Sequence, residues 1–360
     1  MGNDAHAVID CDGHLIESIE ELAEYLDTPT REAVLNPSRD REGVFPSLDG
    51  FHGPRIHDIV SSDYVTASDF RKGSGEDYQA FVNAAGLEQA VIFTSEGLSV
   101  GFIQQTDYAV RVCQAYNNYV SDRFRKLDAR MHPMALIPMQ DPDAAATELR
   151  RAVSELDLIG AMLPSRGLPL DLGHPYYWPV YREAAELGCA LGVHGGSALG
   201  SGMDSFRSFN AMYGLHHSIP LLSGLASFVG HGVFEKIPGL KVGFFEGGCA
   251  WVVALLDRMD RHDEIFDADA PRALRDYLAA GQVLIGCEGN DGSLPYLAGR
   301  VGIEGFSWAS DYPHEVDLVM AKQMIQDTLD EPLLSEDQKR AVLADNARNF
   351  FGLPTTVPAG

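Results

Sequence analysis

Residues 177–197 read YWPVYREAAELGCALGVHGGS, and this stretch holds one complete unit of the fold. Apolar positions in Tyr177–Leu187 recur at helical spacing, and Gly188 suits the left-handed stop beyond a helix. Ala190–His194 then runs apolar at nearly every position before ending in a histidine and two glycines. A short run without alternation predicts a strand buried on both faces, as in a parallel sheet.

The same unit recurs in both directions along the chain. Similar runs occupy Ala7–Cys11, Ala90–Thr94, Met134–Met139, Ile159–Pro164, Lys241–Glu246, Gln282–Cys287 and Phe306–Asp311, giving eight candidate strands with Ala190–His194. Helical patterns lie between them. Asp143–Leu156 follows Asp141-Pro142, Trp251–His262 is amphipathic, and Ser335–Phe351 opens with Ser335 and Gln338 spaced as a capping box. Eightfold β/α alternation predicts an α/β fold of the TIM (β/α)8 barrel class. A doubly wound sheet is the rival, weakened because no G-x-G-x-x-G follows the first strand. Residues 28–80, rich in Pro, Gly, Asp, Ser and Arg, do not fit a minimal barrel. They read as an N-terminal insertion or arm, which distorts the barrel and stands where it can cover its mouth. Residues 196–210 form a small polar loop, read either as a lid or as a plain surface loop. The reading is one domain over residues 1–360.

Composition narrows the function. Against 27 Lys and Arg stand 52 Asp and Glu, for a net charge of −25, which repels nucleic acid and anionic membranes. Five scattered cysteines without a C-x-x-C pair do not form a disulfide framework. The first residues lack signal-peptide character and no apolar run is long enough to span a bilayer, so a cytoplasmic location is expected.

In a barrel, the C-terminal strand ends carry the chemistry. Here they gather metal-binding residue types. Asp12 and His14 follow the first strand, His194 ends the fifth, Glu246 the sixth, Glu288 follows the seventh, and Asp311 and His314 close the eighth. Residues two apart in an extended segment share a side, so Asp12 and His14 reach one point. With His194 and Asp311 they make a set of two histidines and two carboxylates suited to one Zn²⁺ or Mn²⁺. The D-x-D-x-H pattern alone also fits an Asx turn; its placement beside the fifth and eighth strands turns the reading to a metal site.

VIDCDGH (8–14), ALGVHGGS (190–197), GVFEKIPGLKVGFFEGGCAWV (232–252), SWASDYPHEVD (307–317) and ADNARNFFGL (344–353) together resemble the amidohydrolase superfamily. The branch is the one containing aminocarboxymuconate-semialdehyde decarboxylase and the resorcylate and carboxyvanillate decarboxylases. The likeness runs from Ile9 to Leu353 and is weakest over 28–80. It implies that Asp12, His14, His194 and Asp311 are the metal ligands, with Asp12 where the branch usually has His or Glu. It also implies a catalytic histidine before the G-G motif, where this chain has Glu246.

Several roles stay open on the residues alone. Glu246 fits a general base, a general acid, a metal ligand, a partner of Arg258, or a helix cap. His314 fits a proton donor or a residue holding Asp311. His216, His217 or His231 could replace the missing histidine, or serve as ordinary helix or surface histidines. Glu17 could support the first-strand ligands or be solvated. Arg166 and Arg207 are placed to hold a substrate carboxylate, or to make exposed salt bridges. Glu288 and Cys287 are expected to line the pocket, with Cys11, Trp251 and Trp308 packing.

The resemblance implies either a carboxy-lyase acting on a small aromatic or unsaturated acid, or a hydrolase using metal-activated water on an amide, ester or C–C bond. A barrel without chemistry is disfavoured by the four ligand-type residues. Decarboxylation is the preferred expectation, with an anionic small-molecule substrate. The homodimer common in the branch is also expected.

Overall fold

The computed structural model describes residues 7–36, 44–46, 74–196, 199–203, 205–265, 272–289, 291–314 and 316–355. Its strands are β1 (Ile9–Leu15), β2 (Gln89–Thr94), β3 (Met131–Pro133), β4 (Ala135–Leu136), β5 (Gly160–Pro164), β6 (Ala190–His194), β7 (Lys241–Phe245), β8 (Val283–Glu288) and β9 (Phe306–Ala309). All ladders are parallel, and their order follows the chain: β1-β2-β3, then β4 through β9. A doubly wound sheet would reverse its order at a switch point; here it never reverses.

β3 and β4 are one barrel strand broken in the middle. The expected strand at Met134–Met139 therefore starts earlier and ends sooner. Pro133 has no N–H to continue the ladder. The Met134 N–H donates back to Ile92 of β2 (2.8 Å), while the Ile159 N–H donates to Pro133 (3.3 Å). The ring closes between its ends: Asp311 N–H donates to the Asp12 carbonyl (2.8 Å) and His14 N–H to the Tyr312 carbonyl (2.6 Å). Eight barrel positions result, as the alternation predicts.

β1 extends to Leu15, so Asp12 and His14 lie inside the strand, past an irregularity in register between Asp10 and Gly13. Most strand residues are buried, as their unbroken apolar runs require. Phe93 of β2 and Phe245 of β7 fill the interior with ring centroids 5.0 Å apart. Gly192 is small for this reason: a Cβ there would stand 2.8 Å from Phe93 and 3.1 Å from Phe245. His194, two residues on, rests on the Phe93 ring at 4.7 Å. This aromatic layer is the floor of the site.

The expected helices form with small shifts. Pro142–Leu156 begins on Asp141, whose side chain accepts from the Asp143 and Ala144 N–H groups. Trp178–Leu187 ends at Gly188 with φ 68°. Ala250–Ile265 is longer than expected. The Ser335/Gln338 capping box is present, but that helix is interrupted by a π turn at Ala341–Asp345. Within 28–80, Thr28–Val34 and the start of Gly75–Ala85 are helical, and Tyr78 and Phe81 pack beside Tyr312. Residues 37–43 and 47–73 lie outside the described residues, and so does their expected place over the barrel mouth. The lid candidate at 196–210 is described except for 197, 198 and 204. No helix among the described residues is long and apolar enough to cross a membrane. All five cysteines are buried and free.

Candidate metal centre

The site is built from the ends of β1, β6, β7 and β9. His14 is fixed by its neighbour strand: its Nδ1–H donates to the Thr94 carbonyl at the end of β2 (2.8 Å). That bond sets the tautomer and leaves the Nε2 lone pair facing inward. Nε2 lies 3.4 Å from Asp12 Oδ1 and 3.4 Å from Asp311 Oδ1. His194 Nε2 lies 3.0 Å from the same Asp12 oxygen. Asp12, His14 and His194 are fully buried.

A lone pair facing two carboxylates, out of water, is unfavourable unless a cation stands between them. His14 Nε2 and Asp12 Oδ2 are buried without a hydrogen-bond partner. Ligand atoms of Asp12, His14 and His194 lie within 4.8 Å of one another, as do those of His14, Glu246, Asp311 and His314. The donor set is nitrogen and oxygen, which fits Zn²⁺ or Mn²⁺. Burial, reinforced by His314, holds His14 below the usual histidine range, in the neutral form a ligand needs.

Glu246 sits behind this set. Its Oε2 lies 3.0 Å from His194 Nδ1 and 3.3 Å from His217 Nδ1, and its Oε1 lies 3.5 Å from His314 Nδ1. Burial opposes ionisation, but His217 and His194 outweigh it and hold the carboxyl well below its ordinary range. Burial would likewise lower His194, yet Asp12 and Glu246 push it up to about 10. A carboxylate on the outer nitrogen of a ligating histidine is the usual arrangement behind a metal. Glu246 does not pair with Arg258, which turns outward to His262 at 3.0 Å. Glu246 and Asp311 both have left-handed backbone, with φ 65° and 57°. Such strain in non-glycine residues is held in place by the surrounding structure and clusters at functional sites.

His314 stacks on His14 with ring centroids 4.0 Å apart. Its Nδ1 lies 3.0 Å from Asp311 Oδ1, and its Nε2 lies 2.8 Å from Ser95 Oγ. Burial opposes its charge, but Asp311 and Glu246 hold it protonated well above the ordinary range. Of the three candidates for the missing histidine, only His217 reaches Glu246. His216 packs behind it and bonds the Tyr213 carbonyl, and His231 pairs with Asp171 at 2.9 Å.

The other expected residues spread outward. Glu288, the last residue of β8, is open to solvent, yet partial burial together with Asp311, Asp291 and Glu246 raises it to about 7. Cys287 is buried in the core instead of lining the pocket, whereas Cys11 packs in the core as expected. Arg166 donates to Ser201 Oγ (2.9 Å) and Ser223 Oγ (3.1 Å). Arg207 is exposed and donates to the Phe206 carbonyl (3.0 Å).

Beneath the site lies a buried tier, of which sequence reasoning named Glu17 and missed Asp10 and Asp291. Asp10 accepts from the Ser310 N–H (2.9 Å) and hydroxyl (2.5 Å), tying β1 to the end of β9. Burial raises it to about 7. Its place two residues before Asp12 was the available signal. Glu17 is buried, not solvated. It accepts from Thr94 Oγ1 and from the N–H groups of Ser95 (3.2 Å), Glu96 (3.0 Å) and Gly97 (3.3 Å). It thereby sets the loop that brings Ser95 to His314. Asp291 accepts from the Cys249 N–H and holds the turn after β7.

Comparison with known proteins gives the family and the fold. The chain matches the amidohydrolase family over residues 9–353 and belongs to it. It is 23% identical over 257 residues to 2-amino-3-carboxymuconate-6-semialdehyde decarboxylase of Dictyostelium discoideum, covering 70% of each chain. Among solved structures, an amidohydrolase from Mycobacterium avium subsp. paratuberculosis K-10 superposes with a TM-score of 0.77 at 20% identity, covering 98% of this chain and 99% of that one. The 5-carboxyvanillate decarboxylase of Novosphingobium aromaticivorans superposes with a TM-score of 0.71 at 18% identity, covering 98% of each. That structure holds manganese and 4-hydroxy-3-methoxy-5-nitrobenzoic acid. These neighbours are barrels of the amidohydrolase type, and the fold here is the same.

Proposed function

We propose that this protein is a metal-dependent decarboxylase of a small aromatic or unsaturated carboxylic acid. The observation that carries the reading is the buried lone pair of His14 facing Asp12 and Asp311, in a chain whose curated relatives are decarboxylases. Asp12, His14, His194 and Asp311 would hold the metal, with Mn²⁺ favoured by the neighbour that contains it. When bound, it supplies a Lewis acid that orients the substrate's oxygens and offsets negative charge.

The side chains supply the rest. His14 is kept neutral by burial and oriented by Thr94, and Glu246 orients His194. Glu246 is ionised and engaged by histidines, so it does not serve as the acid. His314 does. It holds a proton at Nε2, the nitrogen turned away from the carboxylates and toward Ser95. As the bond to the departing carboxylate breaks, its electron pair stays on the ring carbon, which takes this proton. CO₂ leaves, and His314 is reprotonated from solvent. His217 supports Glu246. Arg207 and Glu288 are assigned to the substrate-facing rim.

We also take residues 1–360 as one barrel domain with 28–80 as an arm, forming a homodimer in the cytoplasm; light scattering on purified protein tests the dimer. The test of function is product analysis of the Mn²⁺- or Zn²⁺-loaded protein against a panel of hydroxylated aromatic acids. One CO₂ per substrate, with solvent deuterium at the vacated carbon, supports the reading. Consumption of water with two organic products shows a hydrolase instead.

A further inference from the structure

A cavity of about 410 Å³ opens beyond the C-terminal end of β5, on the face that carries the metal centre. β5 and β6 run in register with Pro164 abreast of His194. Arg166, two residues past Pro164, therefore emerges next to the strand that carries a ligand. The cavity walls are mixed: Phe102, Pro164, Leu168, Leu172 and Leu199 give an apolar side, and Ser165, Arg166, Asp171 and Ser223 a polar one.

Arg166 is unusual for this chain. Acids outnumber bases by 52 to 27, yet among the described residues no carboxylate lies within ion-pair distance of its guanidinium. It is half-buried, and that burial lowers its pKa. Its Nε and Nη2 donate to the Ser201 and Ser223 hydroxyls. A guanidinium has five N–H donors, so three remain after those two bonds. Asp171 also borders the cavity, but it is engaged by the Ser227 hydroxyl and His231. A half-buried cation with unused donors, set beside apolar walls in a chamber of this size, is a fitting make-up for a site that takes a small organic anion.

We propose that the Arg166 cavity is a carboxylate-binding site for an acid with a compact apolar body. The two serines hold the guanidinium in place, and the apolar walls take the hydrocarbon part. The same chemistry suits a carboxylate of the substrate held at the metal or a separate acid. The site stands whether the metal centre decarboxylates or hydrolyses.

Benzoate is the probe, titrated calorimetrically into the full-length, metal-loaded protein. Benzamide serves as the neutral control. R166M should weaken benzoate at least about tenfold, as loss of a charge-assisted pair predicts. R166K should fall between, and benzamide should bind at least about tenfold more weakly than benzoate. The H14A/H194A protein separates the sources. Benzoate binding unchanged there means a separate acid; binding lost there as well as in R166M means an acid shared with the metal. No benzoate binding to the wild type overturns the proposal, and so does unchanged binding in R166M. Should R166M fail to fold, equal affinity of the wild type for benzamide and benzoate overturns it by itself.

Discussion

Glu246 Oε2 stands 3.0 Å from Nδ1 of His194, while Nε2 of the same ring lies 3.0 Å from Asp12 Oδ1. One imidazole thus joins a carboxylate on the metal side to one behind it. A histidine at position 246, as the resemblance to the decarboxylase branch implies, could not make this arrangement with an anion. In this chain the residue's work is to orient His194.

That assignment predicts how Glu246 variants behave. E246Q should weaken metal binding by roughly 10–100-fold, read by chelator competition, while melting near the wild-type temperature. E246A and E246G both lose the carboxylate, but glycine accepts a φ of 65° without strain. E246G should therefore be more stable than E246A by about 1 kcal/mol. Unchanged metal affinity in E246Q would remove Glu246 from the site's support.

The ligand set makes a stoichiometric prediction. Elemental analysis of metal-incubated protein should give one Mn or Zn per chain, and His194→Ala and Asp311→Ala should each abolish it. Metal at a hundredfold excess over its Kd should stabilise the wild type by about 2.7 kcal/mol and leave both variants unmoved. A wild type that takes up no metal would end the metalloenzyme reading.

Glu17 is predicted to matter for both stability and function. E17A strands the Ser95 and Glu96 N–H groups and the Thr94 hydroxyl beneath the loop after β2, while the Gly97 N–H keeps Thr94 Oγ1 as acceptor (2.8 Å). A loss of about 3 kcal/mol or more is expected, since each buried unpaired group costs about 1–3 kcal/mol. Ser95 should also leave His314, shifting the pH profile of turnover. A melting temperature within a degree of wild type would contradict this account.

Away from the site, His132 sets a pH dependence. Its Nε2–H donates to Gln89 Oε1 (2.8 Å), and burial, helped by Arg125, lowers its pKa to about 4. The unfolded chain takes up this proton first, so stability is complete above about pH 6.5 and is lost as pH falls toward 4. Between pH 7 and pH 5 this one group removes about 2 kcal/mol. Thermal melts at those two pH values should show a larger drop for wild type than for H132Q; parallel drops would refute it.

Residue order along the chain determined much of this protein. Eight apolar runs separated by helical patterns required buried parallel strands, and their unbroken order made the barrel. Asp12, His14, His194 and Asp311 were legible because each ends or follows a strand, and a barrel brings all its strand ends to one rim. Pattern could not show what depends on closure between distant segments. Thr94 sets the His14 tautomer across a strand ladder, Glu17 gathers donors from 77 to 80 residues away, and Asp10 ties β1 to Ser310 across 300 positions. Glu246 was open to five roles until three histidines from separate elements converged on it. Arg166 read either as a holder of a substrate carboxylate or as a partner in an exposed salt bridge. Only the packed loops showed that its guanidinium bonds two serines, with Asp171 in the same cavity engaged by Ser227 and His231. Local spacing records which residues share a face. Which charges end up paired, desolvated or left open is decided by the neighbours that folding brings from elsewhere.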